Sequence, residues 1–388
     1  MKKNILIATC GTSSLTNHRD IINNHFQGRP LSSLTEEEAK DFKERIIKEL
    51  QGKDITDKKF GAEINSTYYL FKKENIEDAK IYLIVSDSID GRTAGEVVKY
   101  TIENSMNFEV EIREIEKLNI TKEHDFAIQG LRNLSTEIAK IIKKHEFDNI
   151  MISPIGGLKA QIFMVGLIAQ VFKIPAYYLY ENSTEIVKLL PMPITIDRDL
   201  FIKNLDIISR LKKESILPKS EIQSYINRDS NLRNILEDVR MDNTSYFSLS
   251  PLGEMIYDKL NTDVLSTLPK DALSSEKLYQ EQYKGNEAHA EQLRNHSEFQ
   301  RFIKKVINAP YVTKVIINYF SPDNKGNQKK FTLSSDDTEG RIIKFQFNNS
   351  KGMLEGKIFA TEQDDTKLQS AIINLYPVSY THLTLPTT

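Results

Sequence analysis

Short apolar runs alternate with stretches of helical periodicity through the first half of the chain. Residues 120–145 form one such helical stretch, and Glu38–Gly52 and Phe60–Glu74 form two more. The apolar runs predict strands near residues 3–9, 80–86, 108–113, 149–153, 175–180 and 185–190. Strands that alternate with helices form a mostly parallel sheet that is covered on both faces. The pattern therefore predicts the α/β class, with a Rossmann-like domain over residues 1–195.

The pattern changes after Pro193, where strand signals stop and the sequence becomes charged and helical. Within this linker, residues 196–286, a short strand leads into Ser250-Pro251 and an amphipathic helix, which is typical of a small winged helix. We interpret the linker as helical or winged-helix-like, joining two domains and dimerising. Its polar end, residues 261–286, is interpreted as a hinge that carries a short helix.

Residues 287–376 predict a small α+β domain. Helical spacing relates Phe299, Phe302, Ile303, Val306 and Ile307, and Asn308-Ala309-Pro310 ends that helix. Strand-like segments follow at 311–320, 329–334, 341–347 and 353–360. The order predicts a helix followed by an antiparallel meander. Residues 377–388 resemble translated adapter sequence, and we expect this tail not to pack against the fold.

Composition narrows the class of protein. The chain has 388 residues, 27% of them charged, and a formal net charge of −2, so any basic site is local. Cys10 is the single cysteine, which excludes an internal disulfide framework, and we interpret it as a buried small residue rather than a nucleophile. No apolar stretch reaches the roughly 18 residues of a membrane span, and the N-terminus has no hydrophobic signal core. We expect a cytoplasmic protein without a membrane partner.

Two strand ends open onto turns that suit phosphate or nucleotide binding. One strand runs into Thr9–Ser14 and a later one into Ser153–Lys159. In a parallel sheet such turns gather at the carboxyl edge, where backbone N–H groups and helix N-termini bind anions. Hydroxyls bind phosphate or ribose, glycines allow close approach, and a lysine adds charge. The candidate ligand-binding residues are Thr9, Gly11, Thr12, Ser13, Ser14, Ser86, Asp87, Ser88, Pro154, Ile155, Gly156, Gly157, Lys159 and Gln161. The three from Ser86 to Ser88 fit helix capping equally well.

Together these turns resemble the CRISPR-associated CARF-domain family, in its archaeal-type branch. The resemblance rests on Gly11–Asn17, on Ser86-Asp87-Ser88 with Asp90-Gly91, and on Ser153–Gln161, and it spans residues 1–195. It implies a homodimer whose twofold axis carries one pocket for a cyclic oligoadenylate, the second messenger of type III CRISPR defence. We favour the tetra-adenylate as activator and expect no metal and no other cofactor.

The third domain is similar to RelE-type mRNA interferases, in which a helix precedes a small antiparallel sheet with a basic face. In such enzymes the RNA supplies its 2′-hydroxyl as nucleophile, a side chain removes its proton and cations stabilise the transition state, so no metal is needed. Strand alternation places Ile343, Phe345 and Phe347 on one face and Lys344 and Gln346 on the other. The candidate catalytic residues are Tyr319, Lys329, Lys330, Arg341, Lys344 and Lys357.

The resulting hypothesis is a cyclic-oligoadenylate-activated endoribonuclease that cuts mRNA, with RNA as its substrate and the ribosome as a candidate partner. Other effectors stay open. Arg19 and His25 have the spacing of a HEPN ribonuclease motif, but they follow the first strand of the sensor, which favours coincidence. Asp336 or Asp337 with Glu355-Gly356-Lys357 partly matches the metal site of restriction-type nucleases.

Two rivals from other classes remain. A ring nuclease would cleave its messenger in the sensor pocket through Lys159 with Ser13 or Ser14. A ligand-controlled transcription factor would use residues 198–260 on DNA, although this stretch is not strongly basic and has no convincing recognition helix.

Overall fold

In the computed structural model, six strands in the first part of the chain form one sheet. They are β1 (Asn4–Thr9), β2 (Ala79–Ser86), β3 (Glu109–Ile115), β4 (Ile150–Ser153), β5 (Ala176–Leu179) and β6 (Ile186–Leu189). The order across the sheet is β3-β2-β1-β4-β5-β6, with parallel neighbours from β3 to β5 and β6 antiparallel to β5. This is the order of doubly wound α/β sheets. The predicted strands and the mostly parallel sheet are confirmed.

The structure describes residues 3–119, 126–145, 149–180, 183–193, 196–241, 244–266, 268–272, 277–282, 287–326, 329–336 and 340–376. The chain divides into two compact units. The first consists of Met1–Thr195 with Ser250–Lys259, and the second consists of Ile196–Leu249 with Leu260–Thr388. The tail over residues 377–388 lies outside the described part of the chain.

Helices cover both faces of the first sheet. The described α-helices before the linker are α1 (Ser13–Thr16), α2 (Arg19–Phe26), α3 (Glu36–Leu50), α4 (Ala62–Glu74), α5 (Ile89–Ser105), α6 (Leu131–Lys144) and α7 (Lys159–Val171). On β1, Leu6 and Ala8 point into one core together with α3, α4 and α5, whereas Ile5 and Ile7 point into a second core with α6 and α7. Alternate residues of a central strand therefore enter opposite cores, which explains why these strands are apolar throughout.

The second unit contains two further sheets. The α-helices and strands from Arg198 to the end of the described chain are α8 (Arg198–Lys203), α9 (Leu205–Glu214), β7 (Leu217–Pro218), α10 (Lys219–Arg228), β8 (Leu236–Met241), β9 (Thr244–Leu249), α11 (Pro251–Ser266), β10 (Leu278–Glu281), α12 (Glu287–Asn295), α13 (Ser297–Ile307), β11 (Val312–Ser321), β12 (Lys329–Asp336), β13 (Gly340–Asn349), β14 (Gly352–Ala360) and α14 (Asp365–Leu375). The first part of α11 belongs to the first unit. The small sheet has the order β7-β9-β8, and the large one has the order β10-β11-β14-β13-β12.

The small sheet adds strands to the linker, which the sequence predicts to be mainly helical. The predicted strand before Ser250 is β9, and Ser250 Oγ accepts a hydrogen bond from the N–H of Gly253 at 3.1 Å, which caps α11. Its partner β8 is not predicted, because only Leu236 and Val239 of this charged strand are buried. Where a recognition helix would stand, Ser230–Ile235 forms a 3-10 helix.

The large sheet differs from the predicted meander in two respects. The expected hinge over residues 261–286 contains the end of α11 and also β10, which pairs in parallel with β11. In addition, β11 pairs with β14 and not with β12, so the first and last strands of the predicted meander are neighbours. A non-local pairing leaves no mark on the local pattern of apolar residues, which explains why both features escape prediction.

One face of the large sheet packs against α13 and α14. Phe345 and Phe347 of β13 contact Phe302 of α13, with ring centroids 5.4 and 4.8 Å apart. Lys344 and Gln346, which alternate with these aromatic residues, lie on the other face of β13, as strand alternation predicts.

Candidate functional site

A pocket of about 680 Å³ lies at the carboxyl ends of β1, β2 and β4. From the neighbouring strands β1 and β4 the sheet continues to opposite edges, through β2 and β3 on one side and β5 and β6 on the other. This is the switch point at which doubly wound sheets bind their ligands. The residues that line the pocket include Cys10, Gly11, Thr12, Ser13, Glu63, Ser86, Ser88, Asp90, Asn119, Ile155, Gly156, Gly157, Leu158 and Gln161.

The carboxylate of Glu63 holds the first turn in place. Glu63 stands in the first turn of α4 and is 3% exposed. Its Oε1 accepts a hydrogen bond from the N–H of Gly11 at 2.8 Å, and its Oε2 accepts one from Ser13 Oγ at 2.5 Å. Ser13 Oγ in turn accepts a hydrogen bond from the N–H of Ala62 at 2.9 Å. These three hydrogen bonds therefore hold the turn after β1 against the start of α4.

Sequence reasoning missed Glu63. It is one of many acidic residues on predicted helices, and the linear sequence does not show that this one faces the sheet. The sequence gives only a weak signal: the residue at the N-cap of α4 is Gly61, which has no side chain of its own to cap the helix.

Close approach of the two turns requires glycine at Gly11 and Gly156. A Cβ atom at Gly156 would lie 2.1 Å from Glu63 Oε1 and 2.3 Å from the backbone nitrogen of Gly11. A Cβ atom at Gly11 would lie 2.5 Å from the backbone nitrogen of Gly157. Any side chain at these positions would push the turns apart.

Gln161 presents a buried donor to the pocket. It is 2% exposed, and its Nε2 has no hydrogen-bond partner among the described residues. Its amide packs over Gly157, whose φ of +105° is a conformation that favours glycine. Leaving a buried polar group unpaired costs about 1–3 kcal/mol, so a ligand acceptor at this amide would be stabilising. Beside it, α7 begins at Lys159 without a side-chain cap, which suits an anion at its N-terminus.

The turn after β2 serves both the pocket and the fold. Ser86 and Ser88 line the pocket with their hydroxyl oxygens 2.8 Å apart, and Ser88 also caps α5. Asp87 does not line the pocket. Its carboxylate accepts hydrogen bonds from the N–H of Lys117 and from Asn119 Nδ2, each at 2.6 Å, and so positions Asn119 in the pocket wall.

Four of the other predicted ligand residues adjoin the pocket in sequence but do not line it: Thr9, Ser14, Pro154 and Lys159. Thr9 and Ser14 are 1% and 0% exposed, and neither hydroxyl has a hydrogen-bond partner among the described residues. Pro154 is buried, and Lys159 is exposed at the first position of α7. Cys10 is buried, and this burial, with the nearby Glu63 carboxylate, raises the pKa of its thiol well above the usual range. A neutral thiol is a poor nucleophile, in agreement with the interpretation of Cys10 from the sequence.

A second cavity, of about 390 Å³, lies on the face of the large sheet opposite α13 and α14. The register places Lys344 directly opposite Lys357 across β13 and β14, and Lys330 opposite Gln346 across β12 and β13. Like charges that face each other across a strand pair are destabilising, so this arrangement favours an anionic ligand. We call this surface the basic sheet face, and its lining residues are Asn318, Lys330, Thr332, Lys344, Phe345, Gln346, Glu355, Gly356 and Lys357.

A β-bulge in β11 adds polar groups to the basic sheet face. The pairing of β11 with β14 shifts at Asn318, whose Oδ1 is buried and has no hydrogen-bond partner among the described residues. Tyr319 pairs with Glu355, which itself pairs with Gln346. Directly paired residues share a face of a sheet. Four members of the predicted catalytic set therefore lie on one surface: Tyr319, Lys330, Lys344 and Lys357.

The two other members of the predicted catalytic set are not placed there. Alternation along β13 sets Arg341 on the face opposite Lys344, and its guanidinium forms a bidentate pair with Asp365, with both N–O distances at 2.7 Å. The side chain of Lys329 lies outside the described part of the chain.

The strand register separates position 336 from Glu355 of the restriction-type motif. Asp336 pairs with Gly340, whereas Lys330, six positions away on β12, aligns with Gln346 and Glu355. That separation is about 20 Å along an extended strand, so Asp336 and Glu355 do not form one metal site. Asp337 lies outside the described residues. Over the described ranges, no cluster of three or more His, Cys, Asp or Glu side chains could hold a metal ion.

Arg19 and His25 are both exposed on α2, in the first unit. None of the helices in the described ranges is long and apolar enough to cross a membrane.

The first unit is thus a doubly wound α/β domain with a pocket at its switch point, the position at which sheets of this class bind ligands. Within that class, residues 58–193 match the model of a family described as CRISPR-associated protein (Cas_APE2256). The matched span contains Glu63, Ser86, Ser88 and Gly156-Gly157, and it leaves β1 and the second unit outside. The first unit is therefore similar to a CRISPR-associated family over this span. No curated protein is significantly similar to the chain.

Two solved structures are among those that match. Can2 from Sulfobacillus thermosulfidooxidans, in complex with cyclic tetra-adenylate, is 12% identical over 69% of this chain and 65% of its own, with a TM-score of 0.23. The match thus spans slightly less than two thirds of Can2. Protein VC1899 from Vibrio cholerae is 9% identical over 92% of this chain and 77% of its own, with a TM-score of 0.26. Structural similarities this low inform on neither the fold nor the function of this chain.

Proposed function

We propose that this protein is a ribonuclease of type III CRISPR defence that is activated by a cyclic oligoadenylate. The messenger binds in the switch-point pocket of the first unit, and RNA is cut on the basic sheet face of the second. The observation that carries the proposal is the pocket at the β1–β4 switch point, much of whose wall falls within the span that is similar to a CRISPR-associated family.

The pocket offers neutral donors to phosphate and ribose. Gln161 Nε2, the backbone at Gly157 and the start of α7 bind a phosphate group, and Thr12 contributes a hydroxyl for ribose. Lys159 adds a positive charge at the rim. Ser13 has a different role, because its hydroxyl already donates to Glu63 and accepts from Ala62. It holds the turn in the shape that the ligand needs.

The activator is a cyclic tetra-adenylate shared by two protomers. A four-nucleotide ring has an internal twofold axis, and an isologous dimer places two identical pockets about such an axis. Phe163 is 69% exposed one turn along α7 from Lys159. A large exposed aromatic side chain is the kind of residue that a protein interface buries.

The basic sheet face supplies the parts of a metal-independent RNA cleavage. Glu355 accepts the proton of the 2′-hydroxyl, whose oxygen then bonds to the adjacent phosphorus while the bond from phosphorus to the 5′-oxygen breaks. Lys344 and Lys357 stabilise the negative charge on the phosphoryl oxygens. The 5′-oxygen leaves with a proton donated by the Tyr319 hydroxyl. The products are a cyclic phosphate and a free 5′-hydroxyl.

Helix α11 connects the two activities. Its first part belongs to the first unit, where Met255 packs in the core and Asp258 Oδ1 lies 3.5 Å from Lys143 Nζ. Val264, near its other end, is buried in the core of the second unit. A displacement of α11 on messenger binding would favour the active arrangement of the sheet by about 1–3 kcal/mol, the usual size of an allosteric coupling.

The test is cleavage of labelled RNA by the full chain with and without cyclic tetra-adenylate, in the presence of EDTA, with heat of binding measured in parallel. We expect binding, and cleavage that depends on the ring and survives EDTA. Loss of cleavage in EDTA contradicts the metal-independent mechanism, and absence of binding heat contradicts the sensor. Conversion of labelled ring to linear product without RNA cleavage would make the protein a ring nuclease instead.

A further inference from the structure

A third cavity, of about 520 Å³, lies in the second unit where α8 and α10 face the edge strand β12. Lys330, Thr332 and Gln346 line both this cavity and the basic sheet face, so the two surfaces are continuous around β12. We call this cavity the edge cleft. The helices that form its other wall lie within residues 198–260, for which the sequence suggested only a linker or, as a rival, DNA binding.

The edge cleft contains a cation–π pair. The guanidinium of Arg228 lies over the ring of Tyr225, 4.4 Å from its centroid, and Tyr225 Oη donates a 2.5 Å hydrogen bond to Asp206. The hydrogen bond restrains the ring, and the cation–π contact restrains the guanidinium. Arg228 is exposed at the end of α10, so its side chain is accessible to a ligand.

The charges of the edge cleft suit a nucleic acid strand. Three cations, Lys203, Arg228 and Lys330, face two carboxylates, Asp199 and Asp206. Each carboxylate has a partner within the unit, because Asp199 accepts from Gln369 Nε2 at 3.0 Å and Asp206 accepts from Tyr225. Arginine planes and aromatic rings are the surfaces on which proteins stack unpaired RNA bases, while lysines contact the phosphates.

We propose that the edge cleft is a base-binding subsite for single-stranded RNA, in which a base next to the cleaved bond stacks on Arg228 while Lys330 holds the phosphate between the two surfaces. This rests on the proposed cleavage of RNA at the basic sheet face. The subsite makes the linker helices part of the substrate site, and it selects RNA whose bases are unpaired, because a base in a duplex cannot reach the guanidinium.

The experiment measures binding of a short single-stranded RNA carrying 2′-O-methyl groups, which cannot be cut through its own 2′-hydroxyl, by fluorescence anisotropy with the full chain. Arg228→Ala is expected to weaken binding about five- to 150-fold, the range for loss of one base stacked on an aromatic side chain. Arg228→Lys keeps the charge but not the plane, and it is expected to recover only a minor part of the loss. Arg233→Ala is the matched control, since Arg233 also lies over an aromatic ring, that of Phe247, in the same unit but lines neither surface.

Lys344→Ala on the basic sheet face separates this inference from the proposed function. If Lys344→Ala weakens binding and Arg228→Ala does not, the subsite is wrong and the RNA site on the sheet stands. If neither variant changes binding, both are wrong. Full recovery by Arg228→Lys would replace stacking by simple charge and overturn the subsite. A duplex of the same sequence is a further control. The wild type is expected to bind this duplex as weakly as Arg228→Ala binds the single strand. Equal affinity of the wild type for both RNAs would contradict the subsite.

Discussion

Ser13 Oγ donates a 2.5 Å hydrogen bond to Glu63 Oε2 across 50 positions of sequence. The other oxygen of the same carboxylate accepts from the backbone of Gly11, so one buried side chain fixes the turn that leaves the central strand. The long insertion between β1 and β2 is thereby part of the candidate ligand pocket, because it supplies the helix that carries Glu63.

Replacing Glu63 by glutamine is expected to weaken both the fold and the pocket. An amide presents one acceptor where the carboxylate meets two donors, so one buried hydrogen bond is lost. We expect Glu63→Gln to lower the free energy of unfolding by about 1–3 kcal/mol in urea titrations. Calorimetry should show weaker binding of cyclic tetra-adenylate. Glu74→Gln, which removes a surface pair with Lys188 from the same helix, should cost less than about 1 kcal/mol. Equal effects of the two variants would refute the role of Glu63.

A methyl group at Gly156 tests the contact between the two glycine turns. Its Cβ would collide with the Glu63 carboxylate and with the backbone of Gly11, neither of which can move without breaking their hydrogen bond. Gly156→Ala should therefore abolish detectable binding heat while the chain stays folded by circular dichroism. Gly166→Ala, within α7 and with no atom near its Cβ, should instead raise stability by about 0.5–1 kcal/mol and leave binding unchanged. Normal messenger binding by Gly156→Ala would show that the turns are not a ligand site.

The facing lysines of the large sheet predict opposite effects on stability and activity. Lys344 and Lys357 repel each other across the strand pair, so Lys344→Ala should leave the free energy of unfolding unchanged or raise it by a few tenths of a kcal/mol. The same variant should reduce messenger-stimulated RNA cleavage by about 100-fold or more, because it removes a charge that stabilises the transition state. Lys351→Ala, in the exposed turn between β13 and β14, serves as the control. Unchanged cleavage by Lys344→Ala would remove the basic sheet face from the mechanism.

The sequence is most informative where local periodicity and burial agree. Both faces of β1 are buried, and its unbroken apolar run marks it without ambiguity. In β8, by contrast, charged residues interrupt the strand, and β10 exposes Leu278 and Tyr279. Such edge strands are specified by their partners and not by their own composition.

The candidate sites show the same division. The glycine and hydroxyl turns can be predicted from the sequence, because parallel strands bring their carboxyl ends to one edge of the sheet. The roles of Glu63 and of the Tyr225–Arg228 pair cannot be predicted in this way, since they depend on which face of a helix packs against which strand. Arg341 is the opposite case. The sequence groups it with the basic residues of the large sheet, but alternation along β13 places its side chain on the opposite face.

Coupling between messenger and RNA cleavage can be tested on α6. Lys143 contacts Asp258 of α11, whereas Lys140 pairs with Glu137 within α6 itself. We expect Lys143→Ala to bind cyclic tetra-adenylate with nearly normal affinity but to lose about fivefold or more of the stimulation of cleavage, which corresponds to about 1 kcal/mol of coupling. Lys140→Ala should retain full stimulation. Identical stimulation in the two variants would exclude this contact from signal transmission.

The Glu49 cluster in the insertion predicts an acid-dependent loss of stability. Burial opposes ionisation of Glu49, but hydrogen bonds from Lys59, His18 and Lys53 outweigh it and lower its pKa to about 2, from an ordinary value of 4.5. A carboxyl whose pKa is lower in the folded state stabilises the fold above the unfolded pKa, and this contribution declines as the pH falls from 4.5 towards 2. Allowing for solvent screening, we expect it to be about 1 kcal/mol near neutral pH. Urea unfolding of the wild type and Glu49→Gln should differ by this amount at about pH 6 and by clearly less at about pH 3. A difference that stays constant over that interval would mean that the ionised carboxylate contributes nothing to the stability of the insertion.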